Sequence, residues 1–397
     1  MTVYQTICLV LAWLLGIPAV LTCVYLALVV LFSARAPIPR RSGRQLRFDI
    51  IVPAHNEAAG IARTVTSLRQ LDWPEDRFRV VVVADNCTDA TASLAAGAGA
   101  QVLERHDSTR RGKGFALSFA FESSREAQWA DAVVVIDADS EVSANLLEAC
   151  AARIENGADA VQADYGVLNP HAAWRTRLIT IALGAFHIAR SRARERWRVS
   201  CGIRGNGWCV THKLLRQVPY QAFSLTEDVE YGIDIGFAGL RVQYADEASV
   251  RGEMVSNEKS ARNQRRRWEE GRLQLIAQRA LPLLREALRS RSLECLDLAA
   301  DLLVPPLTVA ALNIMLFAAV AACGTLLLHG PAGALWVAAG CAAILVCYVL
   351  RGWQLSGVGA RGLADLAWAP VYIIWKVLLL SGRRKPTEWI RTEREGS

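Results

Sequence analysis

The chain has 397 residues, of which 52% are hydrophobic and 21% are charged, so it can form one large globular domain with membrane segments but not several independent enzymes. Its formal net charge is +7, yet the arginines cluster beside apolar runs, which favours anionic lipid headgroups over nucleic acid as their counter-charge. The ten cysteines include no CxxC pair, so their spacing indicates neither a disulfide framework nor a zinc site.

Residues 1–34 predict an N-terminal transmembrane helix. The stretch 6–32 carries no charge and is long enough to cross a hydrocarbon core of roughly 30 Å. A cleaved signal peptide is the alternative, but no basic residue precedes the run, which also exceeds the usual signal core. A basic juxtamembrane linker, 35–47, contains arginines and no acid, so the positive-inside rule places it in the cytoplasm and the N-terminus outside.

Residues 48–280 predict a cytoplasmic α/β domain with a mostly parallel sheet flanked by helices, because short β-branched runs alternate with helical patterns. The predicted strands are 48–52, 80–84, 101–103, 132–136 and 160–163. Ligands of such sheets bind beyond the carboxyl ends of the strands. Polar clusters follow the first, second and fourth strands, so we expect three loops to converge on one edge.

Carboxylates in these loops predict a metal and nucleotide site. Asp137 and Asp139 end an apolar strand, where both can reach a hard cation, Mg²⁺ or Mn²⁺, and its bound phosphates. An ordinary strand-end turn is the alternative, since aspartate is common there. Glu57 and Asp85 hold the matching ends of neighbouring strands, where a carboxylate can accept hydrogen bonds from a base or from ribose hydroxyls.

A glycine-flanked lysine opens the helix after the third strand. Lys113, between Gly112 and Gly114, supplies a cation and backbone N–H groups where an anionic ligand would lie. A solvated helix start is the alternative reading.

Two downstream helical segments carry further candidates. Thr226, Glu227 and Asp228 begin a helical pattern with Thr226 as its predicted N-cap; ordinary capping by acids explains them equally well. In the functional reading, Asp228 takes the proton from an acceptor hydroxyl.

In the second segment, Gln264, Arg267 and Trp268 share one helix face at i, i+3 and i+4. The arginine suits a diphosphate and the indole a sugar ring. A basic interfacial helix would explain the arginine only.

The C-terminal third returns to the membrane. Residues 281–300 predict an amphipathic interfacial helix, with a core-packing helix as the alternative. Residues 301–350 predict a transmembrane hairpin. Residues 351–382 predict a basic loop and an interfacial or third C-terminal membrane helix, because Asp365, Pro370 and Lys376 interrupt its apolar run. Residues 383–397 would then be a cytoplasmic tail.

As a set, these residues resemble glycosyltransferase family 2 of the GT-A fold, the membrane-bound inverting enzymes. The family's PxxNE pattern is similar to 53–57, its DDGSTD-like loop to 84–89, its DxD to 137–139, its TED to 226–228 and its QxxRW to 264–268. Ala84 stands where many members carry the first of two aspartates. The segment 389–394 also resembles a Trp-x-x-Thr-x-Arg gating stretch of some members.

The resemblance implies roles for individual residues. Asp85 would hold the uracil of a UDP-sugar, Asp139 with Asp137 the divalent metal, and Asp228, beside Glu227, would be the general base. The residues that would bind the donor are Pro53, Glu57, Asp85, Lys113, Asp137, Gln264, Arg267 and Trp268. By the same resemblance, Trp174, His187, Asn206 and Trp208 would lie near the acceptor.

The expected function is sugar transfer from a nucleotide diphosphate sugar to a hydroxyl of a lipid-linked or membrane-proximal glycan, at the inner (cytoplasmic) membrane, in cell-surface polysaccharide synthesis. Two or three spanning helices enclose almost no pore, which disfavours a processive synthase unless partner proteins of a polysaccharide assembly system complete a channel. A catalytically silent nucleotide-sugar-binding scaffold is the alternative from another class, and the intact Asp139, Asp228 and Trp268 argue against it.

Overall fold

The computed structural model describes residues 2–254 and 258–368, and the chain divides into two compact units. Among the described residues, the helical unit contains 2–34, 177–193 and 303–368. The sheet unit contains the described parts of 35–176 and 194–302. All ten cysteines are free thiols.

The sheet unit is built on eight strands. They are β1 (Phe48–Ala54), β2 (Phe78–Asp85), β3 (Gln101–Arg105), β4 (Ala132–Val135), β5 (Ser140–Val142), β6 (Ala160–Val167), β7 (Trp208–Thr211) and β8 (Val242–Gly252). They form one mixed sheet in the order β3-β2-β1-β4-β7-β6-β8-β5. The α/β prediction and all five predicted strands are confirmed; β5, β7 and β8 were not predicted.

The central strand β1 is parallel to both of its neighbours and is buried on both faces. It pairs in parallel with β2 on one side and β4 on the other. Ile50 and Val52 pack on one face, while Ile51 packs on the opposite face, and all three are fully buried. A strand that is apolar on both faces can lie only between two layers of helices.

Fourteen α-helices are seen in the described residues. They are α1 (Val3–Phe32), α2 (Ile61–Arg69), α3 (Thr91–Gly97), α4 (Lys113–Ala127), α5 (Leu146–Glu155), α6 (Trp174–Leu183), α7 (Arg190–Arg196), α8 (His212–Gln217), α9 (Glu227–Phe237), α10 (Glu258–Ser290), α11 (Leu293–Leu303), α12 (Leu307–Ala322), α13 (Gly333–Ser356) and α14 (Gly359–Asp365). Helices α2 and α5 cover one face of β1, and α4 covers the other.

Helix α10 runs without a break across the predicted domain boundary at residue 280. In the predicted interfacial segment 281–300, Leu283 and Leu298 are buried in a core shared with α9, as the core-packing alternative expects. Leu281, Leu288 and Leu293 are 53%, 83% and 66% exposed, as an interfacial helix expects. The segment therefore has one face in the protein and an apolar face outside it.

Three helices of the helical unit are long and apolar enough to cross a membrane: Val3–Phe32, Leu307–Leu327 and Gly333–Ser356. Small residues let them approach closely. Ala12, Ala19 and Cys23 of α1 are buried against α12 and α13, and a Cβ on Gly16 would lie 2.8 Å from the Phe317 ring. Close approach at small residues is typical of helix packing in membranes.

Residues 177–193 belong to the helical unit, although the sequence placed them inside the predicted 48–280 domain. A π-helical turn, Gly184–Ala189, packs against α13, where a Cβ on Gly184 would meet the carbonyl oxygen of Gly352 at 2.5 Å. The charged residues of this segment do not predict that it packs in the helical unit. Most of the predicted helix 363–380, the tail 383–397 and the segment 389–394 lie outside the described residues.

Candidate active site

Two loops at the carboxyl ends of β1 and β2 are tied together. The ring Nδ1 of His55 donates to the backbone oxygen of Asp85 at 2.7 Å, and Asn56 Oδ1 accepts from the backbone N–H of Thr88 at 2.7 Å. Asn56 has a φ of 55°, a left-handed conformation that asparagine tolerates better than most residues. The candidate donor residues therefore share one edge. Pro53 is the next-to-last residue of β1, and the Glu57 N–H donates to the hydroxyl of Thr91 at the start of α3.

The carboxylate of Asp85 is fixed by an arginine that sequence reasoning missed. Arg105 Nη1 lies 2.6 Å from Asp85 Oδ1, the same oxygen accepts from Asn86 Nδ2 at 3.0 Å, and Asp85 is only 5% exposed. Arg105 ends β3 directly opposite Asp85 in the parallel ladder. The end of the predicted third strand was therefore a signal that could have identified it.

Lys113 joins the two acidic motifs. Its Nζ lies 2.6 Å from Asp137 Oδ1 and 3.5 Å from Glu227 Oε1, and it donates to the backbone oxygen of Gly205 at 3.0 Å. The helix start that presents Lys113 needs glycine, since a Cβ on Gly114 would lie 2.4 Å from a backbone oxygen. Two carboxylates that lie 90 residues apart along the chain, Asp137 and Glu227, thus meet around one ammonium group.

Burial and neighbouring charges shift the pKa values of the acidic residues in this cluster. Burial raises the pKa of Glu227 to about 7; Lys113 opposes the rise, and Asp228 adds to it. Burial likewise raises the pKa of Asp228, again against the effect of Lys113. Burial would lower the pKa of Lys113, but Asp137 and Glu227 raise it above its ordinary value on balance, so it stays charged. Such shifts bring the pKa values of the carboxyl groups closer to neutral pH, and a general base works best when its pKa lies near the operating pH.

Asp228 faces the same place as Lys113. Its Oδ2 lies 3.5 Å from the position of a Cβ on Gly205, the residue whose carbonyl binds Lys113. One turn further along α9, a Cβ on Gly232 would lie 3.0 Å from the backbone nitrogen of Ile203. The Asp228 face of α9 therefore packs directly on the loop that precedes β7.

Asn206 holds the turn that carries Asp137 and Asp139. It is fully buried, its Oδ1 accepts from the Asp137 N–H at 3.0 Å, and its Nδ2 donates to Ser140 Oγ at 2.7 Å. Ser140 in turn donates to Asp139 Oδ1 at 3.2 Å. Asn206 thus supports the turn of the predicted metal motif, a role that sequence reasoning missed. Trp208, expected near the acceptor, is instead 1% exposed in the core, because β7 is a central strand.

The donor set fits a divalent cation that binds together with its substrate. No group of three or more His, Cys, Asp or Glu side chains forms a closed metal site within residues 2–254 and 258–368. Mg²⁺ usually takes one or two carboxylates plus substrate phosphates, and Asp137 and Asp139 supply two such oxygen ligands. Asp137 also pairs with Lys113, and Asp139 also accepts from Ser140.

The predicted QxxRW face of α10 lies beside the start of α9. A Cβ on Gly271 would meet Thr226 Cγ2 at 2.7 Å, and Arg267 and Trp268 lie one turn earlier on the same face. Trp268 is 37% exposed and Gln264 is half-buried. Thr226 holds the N-cap position, but the predicted capping bond is absent there, since its buried hydroxyl has no hydrogen-bond partner among the described residues.

Comparisons with known proteins agree on one family. The sequence model described as "Glycosyltransferase like family 2" matches residues 46–271. The probable glycosyltransferase YdaM of Bacillus subtilis (strain 168) is 25% identical over 250 residues, which are 60% of this chain and 59% of that protein. A beta-monoglucosyldiacylglycerol synthase of Synechocystis sp. is 28% identical over 232 residues, 56% of this chain and 47% of that protein. The chain thus spans about half the length of these relatives.

A solved structure supports the fold. The mannosyltransferase PcManGT from Pyrobaculum calidifontis, in complex with GDP-Man and Mn²⁺, superposes with a TM-score of 0.56 at 19% identity. The match covers 91% of this chain and 99% of that one.

Proposed function

The chain belongs to glycosyltransferase family 2, whose model covers more than half of its residues, and we propose that it transfers a sugar from a nucleotide diphosphate sugar, a UDP-sugar, to a hydroxyl of a lipid-linked or membrane-proximal glycan. The observation that carries the proposal is the cluster of Lys113, Asp137, Glu227 and Asp228. The glycolipid named for the Synechocystis relative supports a lipid-linked acceptor.

The residues of the cluster divide the chemistry. Asp228 takes the proton of the acceptor hydroxyl, and its raised pKa keeps it basic enough to do so. Lys113 offers its charge to the donor diphosphate. Asp139 and Asp137 would hold a divalent cation, whose chemistry when bound is to neutralise the leaving diphosphate. Attack opposite the leaving group inverts the anomeric carbon in a single displacement.

The donor-binding residues lie around this centre. Asp85, fixed by Arg105, accepts from the base, and Pro53 and Glu57 line the same edge. On α10, Arg267 and Trp268, with Gln264 on the same face, steady the diphosphate and the acceptor. Asp85 keeps Oδ1 on Arg105, so Oδ2 is the oxygen we assign to the base.

Membrane placement follows from the apolar helices and the flanking arginines. The three candidate spans and the basic segment 35–47 support an inner-membrane protein with its sheet unit in the cytoplasm. Nucleotide sugars would then reach the site from the cytoplasm, and the acceptor from the bilayer. The three candidate spans found in residues 2–254 and 258–368 favour single additions over polymer export.

Transfer by the purified full chain in detergent tests the proposal. UDP-glucose, UDP-N-acetylglucosamine, UDP-galactose and GDP-mannose, each labelled in the sugar, are incubated with Mg²⁺ or Mn²⁺ and a membrane lipid extract. We expect label in the lipid fraction, loss of it in Asp228→Asn, and its retention in the surface control Asp72→Asn. Donor binding without turnover would indicate a catalytically silent scaffold. A long polydisperse product would indicate a processive synthase. Either result would reject the proposal.

A further inference from the structure

The segment 201–207, between α7 and β7, contacts Lys113, Asp137 and Asp228; we call it the glycine loop. Gly205 accepts from Lys113 and lies against Asp228, while Asn206 holds the N–H of Asp137. Its three glycines, Gly202, Gly205 and Gly207, have φ angles of 75°, 86° and 75°. A backbone in the left-handed region is not held by regular secondary structure, so its position must be set by other contacts.

An ionic cluster on the far side of the loop provides those contacts. Asp301 Oδ2 on α11 lies 3.2 Å from Arg204 Nη1 and 3.0 Å from Arg194 Nη1. Asp297, one turn earlier on α11, lies 2.6 Å from Arg194 Nε. Both guanidinium groups also donate to the backbone oxygen of Cys201, at 3.3 Å and 3.1 Å. Arg194 is completely buried and Arg204 is 7% exposed.

Arg204 links this ionic cluster to the glycine loop at the candidate site. Its backbone N–H donates to Gln162 Oε1 at 2.8 Å, and Gln162 Nε2 donates to the backbone oxygen of Asn206 at 2.7 Å. Arg204 is therefore held by its side chain and by its backbone, and Gly205 follows it directly in the chain. A shift of Arg204 would move the carbonyl that binds Lys113 and the surface on which Asp228 rests.

We propose that Asp301 is a positioning residue for sugar transfer. Through Arg204 it fixes Gly205, and through Gly205 it fixes Lys113 and Asp228. Asp297 pairs with Arg194, which reaches the glycine loop at the backbone oxygen of Cys201, whereas Asp301 also pairs with Arg204 beside Gly205, so Asp301 contributes more to this alignment. The two aspartates provide a matched pair, because they lie on the same helix, bind the same buried arginine and differ in their link to the loop.

The test compares Asp301→Asn with Asp297→Asn in the full chain in detergent. Each change removes one buried charge and keeps the side-chain shape, so we expect similar losses of thermal stability. Hydrogen–deuterium exchange in peptides covering 201–207 should rise more in Asp301→Asn than in Asp297→Asn. With whichever donor of the panel the unmodified chain turns over, kcat should fall on the order of 10- to 100-fold in Asp301→Asn, because a misplaced reacting group costs that much. Donor KM should change little, and Asp301→Glu should restore part of kcat.

The outcome separates positioning from folding. If the two asparagine variants show the same exchange in the glycine loop, or if exchange rises in Asp301→Asn while kcat stays at the unmodified value, the proposal is wrong. Exchange needs no donor, so it tests the Asp301 link even if no sugar of the panel is transferred. Failure of the unmodified chain to turn over any donor would instead count against the proposed function.

Discussion

Replacing Lys113 by methionine should move the pH dependence of transfer to higher pH. Lys113 is the cation shared by Asp137 and Glu227, and its charge opposes the rise in pKa that burial imposes on Glu227 and Asp228. Methionine keeps a long apolar stem but removes the charge. The three carboxyl groups would then lose the cation that the structure places between them, so protons would bind them more readily.

The size of the effect follows from the geometry. Lys113 Nζ and Glu227 Oε1 are 3.5 Å apart, and in an effective dielectric of about 20 two unit charges at 3.5 Å attract by about 5 kcal/mol. Water entering in place of the ammonium recovers part of this. We therefore expect the pKa of Glu227 to rise above its value of about 7, and each pKa unit of such a rise corresponds to about 1.4 kcal/mol.

The direction of the expected shift can be measured in the pH dependence of the transfer rate. The base works deprotonated, so activity is lost as pH falls through its pKa, and a raised pKa moves this acid limb upward. The limb reports Glu227 and Asp228 together, since adjacent acids titrate as a pair. Initial rates between pH 5.5 and 9.5, each divided by the alkaline plateau of the same variant, should show about fivefold less transfer at pH 7 if the limb moves up from about 7 by about one pH unit. Lys113→Arg keeps the charge and should keep the limb. An unmoved limb in Lys113→Met would refute this reasoning.

Three further predictions use other parts of the sheet unit. Asp228→Asn should abolish transfer with donor affinity nearly unchanged, whereas Asp139→Asn should weaken donor and Mn²⁺ binding together in titration calorimetry; equal loss of donor binding in both would contradict the division of roles. Gly114→Ala places a Cβ 2.4 Å from a backbone oxygen and should lower stability by about 1–3 kcal/mol in thermal unfolding, while Gly97→Ala, with nothing within 4 Å, should not. Trp208→Ala should cost about 3–5 kcal/mol, because its indole is fully buried, and an unchanged melting temperature would show that the core tolerates the cavity.

Four of the five strands that sequence reasoning recovered form one half of the sheet, β3-β2-β1-β4, where the local signals are strong. Strands β1, β2 and β4 are continuous apolar runs because both of their faces are covered. The eleven residues of β8 include Asp246, Glu247 and Arg251, and this polar sequence does not read as a strand. It forms one because β6 pairs with it, across a register shift at Ala163 and Asp164. Such pairing depends on partners far along the chain, which a local pattern does not contain.

The candidate site divides in the same way. The motifs that contain Asp137, Asp139 and Asp228 were found because their spacing and their place after strands are local properties. The pairing of Lys113 with Asp137, and the support that Asn206 gives to the Asp137 turn, were not found. They depend on which side chains four separate loops direct to one point, and that is fixed by packing of the whole sheet unit.

The failed N-cap at Thr226 shows how packing overrides a local rule. Losing a threonine cap costs about 1 kcal/mol. The Thr226 side chain nevertheless packs on Gly271, where a Cβ on residue 271 would clash with it. This contact brings the Arg267 face of α10 against the first turn of α9. The backbone N–H groups of Asp228 and Val229 lower the pKa of Asp228, against the effect of burial. The helix start therefore favours the charged form of the proposed base directly, which a threonine cap would not do.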